Sequence, residues 1–318
     1  MDGLLVVDKP VGPTSHDVVA RVRRILGERR IGHTGTLDPL ASGVLPLVIG
    51  RATRLARFLS AADKIYEAEV TLGIATDSGD REGHAIAEPY AGALPERGDV
   101  EQALQRFRGS FPQRPPALSA KKIGGVRSYR LARRGRLREA AVASADETPA
   151  LDRSSTAAPQ PVTVSVSGLE LLSYDAPTLL LRVACSAGFY VRALARDLGE
   201  ALGTGAHLSA LRRTASGRLT LREAVALAAI DDRQAGRQRA LEAIIPPSRM
   251  LTDLPGASLT PEGLRRAVHG RELDADAFSG PVAAGDGFVR LLDADGNLVG
   301  VAERGSSAGV LHPAVVLM

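Results

Sequence analysis

The stretch "RIGHTGTLDPLASGVLPLVIGRATR" (Arg30–Arg54) runs from a glycine-rich turn into an apolar segment, with arginines at both ends. Its apolar part, "GVLPLVIG" (43–50), is short and continuous, which predicts a buried strand. It contains one carboxylate, Asp38. Asp-Pro is a common way to start a turn, so a purely conformational role for Asp38 is one reading. The other is an ionised carboxylate held by an arginine and acting on an electrophile. The residues alone leave both open.

Working outward, "GLLVVDKP" (3–10) predicts a buried strand ended by Asp-Lys-Pro. Thr14 and Asp17 have capping-box spacing. The helix they start carries Val18, Val22, Ile25 and Leu26 on one face, and Gly27 or Gly32 ends it. Downstream, "RATRLARFL" (51–59) predicts a helix with Arg51, Arg54 and Arg57 on one side. "KIYEAEVTLGI" (64–74) alternates like a half-buried strand, "ATDSGDREGHAIAE" reads as an acidic loop, and 99–109 reads as helical. "VTVSVSGLELLSY" and "TLLLRVACS" predict an antiparallel pair, and 188–203 a helix after a strand. "SALRRTASGRLTLREAVAL" is expected to form a basic turn before a helix, and "IIPPSRM" (244–250) a linker. A hairpin turning at Asp-Gly-Asn and a last strand then give a small β-rich C-terminal module.

The 318 residues suit one large domain with a small one, or two of medium size. Apolar residues make up 44%, but aromatics only 3% with no Trp, so the core must be built from Leu, Val, Ile and Ala. Lysine occurs only at 9, 64, 121 and 122; every other basic residue apart from histidine is arginine, whose fork grips phosphate and stacks on bases. A net charge of +4 is mildly basic. A single cysteine, Cys185, excludes an internal disulfide and a cysteine zinc cluster. No apolar run reaches membrane-spanning length, and the N-terminus lacks a basic region before an apolar one. These features predict a cytoplasmic protein with no membrane partner.

Familiar chemistries fail on their motifs. There is no G-x-x-x-x-G-K-[ST] and no G-x-G-x-x-G after a strand. Asp77, Asp80 and Glu82 miss the calcium-loop spacing. Ser15, His16 and Asp17 are adjacent, which does not make a triad, and no G-x-S-x-G elbow occurs. No metal site and no cofactor are expected.

The motifs themselves carry a resemblance. "GHTGTLDPLASGVLPLVIGRATR" is similar to the catalytic motif of the bacterial TruB-type tRNA pseudouridine(55) synthases. "GLLVVDKPVGPTSHDVV", "DKIYEAEVTLGIATDSGDREG", "PPALSAKKIGGVRSYRLARRG", "CSAGFYVRALARDLGEALG" and "GAHLSALRRTASG" resemble its other motifs, in order. The match covers nearly everything except about 139–160. It implies an α+β pseudouridine-synthase fold with a mixed, mainly antiparallel central sheet flanked by helices and loops. A synthase domain (1–250) would contain an RNA-clamping excursion at about 112–160, low in complexity over 139–160. A small β-rich, PUA-like RNA-binding domain (251–318) would follow.

The resemblance further implies that the T-loop uridine of tRNA is isomerised to pseudouridine, a rearrangement that needs no metal, cofactor or guide RNA. Asp38 is then the catalytic aspartate, Tyr66 stacks on the target uracil, and Arg192 pairs with Asp38. His33 contacts flipped bases. Lys9 supports the pocket, Tyr190 and Leu211 line it, and Asp80 helps place the substrate. Lys121, Lys122 and Arg127 belong to the RNA clamp, and the Arg51–Arg57 series follows phosphates. One departure stands out: the clamp reads "PALSAKK", with Leu118 where many relatives carry Tyr and Lys121 where they carry Leu. A monomer is expected, with the T-arm stem-loop as its partner. Assistance to tRNA folding is a second function the resemblance allows.

Overall fold

The computed structural model describes residues 1–116, 122–123, 126–127, 160–232, 234–282, 287–305 and 309–318, with backbone alone at 122–123 and 126–127. The chain divides into two compact units: Met1–Ala62 together with Ala215–Met318, and the contiguous Asp63–Thr214.

The first unit opens with strand β1 (Gly3–Lys9), helix α1 (Ser15–Leu26), β2 (Ile31–His33) and β3 (Ala41–Ile49). β1 and β3 pair antiparallel from Gly3↔Ile49 to Lys9↔Gly43, and both are buried almost throughout, which is why they read as continuous apolar runs. β2 pairs antiparallel with β3. Helix α1 has the predicted start: Thr14 accepts from the Asp17 N–H, and Asp17 accepts from the Thr14 N–H and hydroxyl. Its end falls at Gly27, whose φ of 70° is the left-handed conformation a side chain resists. Val18, Val19, Val22 and Leu26 face the core; Ile25 is only partly covered. The predicted helix over 51–59 is instead a 3-10 turn (Gly50–Leu55) followed by short α2 (Ala56–Ser60).

The second unit contains β4 (Lys64–Leu72), α3 (Arg97–Leu104), β5 (Gly109–Gln113), the ribbon β6 (Lys122–Ile123) and β7 (Val126–Arg127), β8 (Val162–Asp175), β9 (Thr178–Cys185), α4 (Val191–Leu202) and β10 (Ala206–Ser216). Its strands run in the order β10-β4-β9-β8-β5. The β4–β9, β8–β9 and β5–β8 pairs are antiparallel, the middle one being the predicted hairpin. β4 alternates strictly, with Lys64, Tyr66, Ala68, Val70 and Leu72 on its buried face. The stretch 209–227, expected to be a basic turn before a helix, opens instead within strand β10; the turn lies at Gly217, where the last two residues of β10 pair with β11 (Leu219–Thr220) in the first unit, and a helix begins only at Leu227. Two consecutive arginines hide the strand in the sequence, because Arg213 occupies a buried position where an apolar residue would mark the alternation.

The rest of the first unit comprises β12 (Val225–Ala226), parallel to β1, then short α5 (Leu227–Ile230) and α6 (Gly236–Glu242). There follow β13 (Gly256–Ser258), α7 (Pro261–Val268), β14 (Val289–Leu292), β15 (Leu298–Arg304) and β16 (Leu311–Val316). The last four strands form one sheet in the order β13-β14-β15-β16. The predicted β14–β15 hairpin is present; the Asp293 carboxylate accepts from the Asp295 and Asn297 N–H groups across its turn. One core of this unit joins both ends of the chain, packing Leu4, Val6, Val44 and Val48 with Leu298, Val301 and Leu317. A fully buried side chain of this size contributes about 1.5–3 kcal/mol. The segment read as a linker is tied down, with Ile245 and Leu4 exchanging backbone hydrogen bonds. Among the described residues, no helix is long and apolar enough to cross a membrane.

Candidate active site

In the first unit, Asp38 sits half-buried in the loop between β2 and β3. The loop is held by its backbone. The Thr34 N–H donates to Pro46 O at 3.1 Å, and the Ala41 N–H to Asp38 O at 3.0 Å. The Gly12 N–H, from the turn before α1, donates to Pro39 O at 2.9 Å. The Ser15 hydroxyl donates to Leu37 O at 3.1 Å and accepts from the Leu37 N–H at 2.8 Å. Lys9 is the last residue of β1. Its ammonium is buried and donates to Pro10 O (2.9 Å) and Pro13 O (2.8 Å), so it shapes the turn that carries Gly12. His33 ends β2, and the His16 ring meets it edge-on, with centroids 5.3 Å apart and planes at 82°.

In the second unit, Tyr66 lies on the buried face of β4, opposite Val183 of β9. Ser209 donates to Glu69 O and Thr214 to Ile65 O, tying β10 to β4 on either side of half-buried Leu211. Arg192 is the second residue of α4. Its guanidinium donates to Ser78 O at 3.1 Å and lies 3.5 Å from an Asp80 carboxylate oxygen, with both side chains under a tenth exposed. Asp80 also accepts from the Ser78 hydroxyl at 2.6 Å and the Glu82 N–H at 3.1 Å. Gly79, between them, has φ of 75°, and a Cβ there would come within 3.3 Å of Arg192 O. Asp80 is therefore oriented toward Arg192 by a turn that only glycine makes without strain. Tyr190 precedes the helix as its cap. The buried Gln113 amide brackets it, donating to Tyr190 O at 3.1 Å and accepting from the Tyr190 N–H at 2.9 Å.

Lys64 and Arg213 are both buried in this unit. Burial holds the Lys64 ammonium below its usual range, and the Arg213 charge pushes it the same way. Neither residue was singled out from the sequence. Ser15 and Gln113 also escaped it, because each acts on backbone groups far along the chain and leaves no local pattern.

The clamp residues fall differently. Lys121 and Leu118 lie outside the described residues, as do Arg130, Arg133 and Arg134. Lys122 and Arg127 are paired residues of the β6–β7 ribbon. The Arg51–Arg57 series has partners within the first unit. Arg51 pairs with Asp2 at 2.9 Å, Arg54 donates to Val316 O at 2.6 Å, and Arg57 stacks over Phe58 and Phe288.

The fold has solved counterparts. A chain of a Cbf5-Nop10-Gar1 complex superimposes with a TM-score of 0.73 at 27% identity, covering 99% of this chain and 85% of that one. A chain from an H/ACA RNP bound to a substrate RNA containing 2′-deoxyuridine follows with a TM-score of 0.70 at 25% identity, covering 99% and 85%. The fold is thus that of the pseudouridylate synthases, with the expected α+β architecture and C-terminal β-sheet. Residues 23–146 match the N-terminal domain of the TruB family of pseudouridylate synthases, and residues 192–252 match the tRNA pseudouridylate synthase B C-terminal domain. The tRNA pseudouridine synthase B of Solibacter usitatus (strain Ellin6076) is 42% identical over the whole of both chains. That of Burkholderia mallei (strain NCTC 10247) is 41% identical over 98% of this chain and 96% of its own. The chain belongs to the TruB family, whose members are isomerases that convert uridine in tRNA to pseudouridine.

Proposed function

We propose that this enzyme acts on the T-loop uridine, position 55, of tRNA, and that Asp38 is its catalytic carboxylate. The observation that carries this reading is the anchoring of the Asp38 loop: hydrogen bonds hold the peptide carbonyls of Leu37, Asp38 and Pro39 in succession. A backbone held at three successive carbonyls suits a reacting carboxylate, whose position must be kept closely. The uridine is flipped out of its stack, at a cost of about a few kcal/mol recovered by stacking and hydrogen bonding in the pocket. The N1–C1′ bond then breaks, the uracil turns, and C5 bonds to C1′. N1 gains a proton and C5 loses one, so the product is an isomer of the substrate and the reaction is balanced without an added reagent.

Tyr66 stacks on the uracil, Arg192 is the cation that pairs with Asp38, and Tyr190 and Leu211 line the pocket. Asp80 serves the substrate through Arg192, the side chain it holds. His33 contacts flipped bases, and Lys9 supports the loop through the 10–13 turn. Lys121, Lys122 and Arg127 grip the T-arm backbone. Residues 1–250 form the synthase domain, and 251–318 a PUA-like domain that adds RNA affinity. The enzyme works as a cytoplasmic monomer.

The solved counterparts come from complexes with further components, so a guide-dependent reading has an observation behind it. The full-length relatives at 41–42% identity favour the stand-alone one. Tritium release from C5-labelled uridine in a bare T-arm stem-loop decides between them. Release is expected from the protein alone, lost in Asp38→Asn while RNA binding persists. Full activity of Asp38→Asn would remove Asp38 from the chemistry, and a strict need for partner proteins or a guide would favour the other reading.

A further inference from the structure

Ser15-His16-Asp17 fails as a triad, yet the first turn of α1 contacts the Asp38 loop directly. We propose that Ser15 is a positioning residue for Asp38, an inference that rests on Asp38 being the catalytic carboxylate. A hydroxyl has one proton to give and lone pairs to receive with. Here one oxygen uses both on a single residue, Leu37, whose N–H and C=O are in the protein interior.

The Leu37 carbonyl belongs to the same planar peptide unit as the Asp38 N–H. Fixing that carbonyl therefore fixes the plane from which the Asp38 side chain departs. The next plane is held through Asp38 O by Ala41, and the one after through Pro39 O by Gly12. Only φ and ψ of Asp38 lie between the first two anchored planes, so both are determined. Ser15 is itself immobile. It is 1% exposed, it follows the Thr14 cap, and its helix is closed at the other end by Gly27 and packed through Val18, Val19 and Val22. The hydroxyl thus transfers the rigidity of a helix to a loop that has no regular structure of its own.

A group that only positions the carboxylate alters the chemical step and leaves RNA capture alone. Displacing a reacting group by about 1 Å costs on the order of 100-fold in rate. The experiment measures single-turnover tritium release at saturating enzyme, dissociation constants for the stem-loop, and thermal melting. It compares the parent protein with Ser15→Ala, Val22→Ala and Asp38→Asn, well below the lowest melting point of the set. Val22→Ala loosens the core face of the same helix and keeps the Ser15 hydroxyl that bonds Leu37.

Ser15→Ala is expected to lose roughly 10–100-fold in rate, with stem-loop affinity unchanged within about threefold. Val22→Ala should keep the parent rate. Amide exchange should quicken over 33–41 in Ser15→Ala and stay slow over 15–26. A parent-like rate in Ser15→Ala, an equal loss in Val22→Ala, or a loss confined to affinity would overturn the proposal. Asp38→Asn separates the two levels. If it is inactive while Ser15→Ala is normal, only the positioning role falls; if it is active, the reading of Asp38 falls with it.

Discussion

Replacing Asp80 with Asn removes one charge from the buried pair at Arg192 and changes almost nothing in shape. The amide keeps an oxygen for the Ser78 hydroxyl and the Glu82 N–H, so the turn that presents residue 80 survives. What is lost is the attraction between charges 3.5 Å apart. At an effective dielectric of about 20 the gross Coulomb energy at that distance is about 5 kcal/mol. Breaking one partner of a buried pair costs about 3–5 kcal/mol. Arg192 still donates to Ser78 O, but the amide nitrogen takes the place of Oδ2 and turns a donor toward the guanidinium, so about 3 kcal/mol is expected. For a folding unit of this size that lowers the melting temperature by roughly 6–12 °C. A guanidinium released from its orientation should also slow turnover, by roughly 10–100-fold in kcat, with little change in stem-loop affinity. Calorimetry and single-turnover kinetics on the same preparation test both. Asp80→Ala, which also frees Ser78 and Glu82, should be worse on each measure. An Asp80→Asn protein that melts and reacts like the parent would refute the claim that this carboxylate sets Arg192.

Three more outcomes are expected. Gln113→Ala leaves the Tyr190 N–H without its partner, while Tyr190 O still accepts from Ala193 and Leu194; about 2 kcal/mol of stability should be lost, read by denaturant melting. Cys185 is buried, which pushes its thiol up to about 12, so at pH 8 it holds far less thiolate than a free cysteine and should resist alkylation until the protein unfolds. The Thr14 hydroxyl and N–H hold the Asp17 carboxyl below its usual range, so the capping box supports α1 above the unfolded-state value near 3.8 and is lost as pH falls through the lower folded value; amide exchange in 15–26 should quicken only below about pH 4, and Thr14→Ala should quicken it at every pH, by about 1 kcal/mol of helix stability.

What could be read from the sequence was local or long. The Thr14–Asp17 box, the Gly27 stop, the alternation of β4 and the Asp-Gly-Asn hairpin each lie within a few residues, and each is where it was expected. Strand β10 was missed because a strand is recognised by apolar alternation, and Arg213 breaks it from a buried position. The 51–59 helix was overread, since spacing by three suits a 3-10 turn as well as an α-helix. At the site, Asp38, Tyr66 and Arg192 were singled out by motif resemblance; no physical signal in the chain raised Asp38 above a turn residue. The side chains that hold these groups in place act across 22 residues for Ser15–Leu37, 77 for Gln113–Tyr190 and 114 for Arg192–Ser78. Such bonds depend on the finished fold, and nothing near either partner announces them.

The core shared by Leu4, Val6, Val44 and Val48 with Leu298, Val301 and Leu317 has a consequence for synthesis on the ribosome. The contiguous 63–214 unit has all its strands once residue 214 has emerged. The first 62 residues, with the Asp38 loop among them, have been waiting since the start without the surface they pack on. That surface is made after the second unit. A truncated chain ending before β15 would therefore leave Leu4, Val6, Val44 and Val48 without the apolar side chains of Leu298, Val301 and Leu317, and its first unit should melt at a lower temperature than that of the full chain.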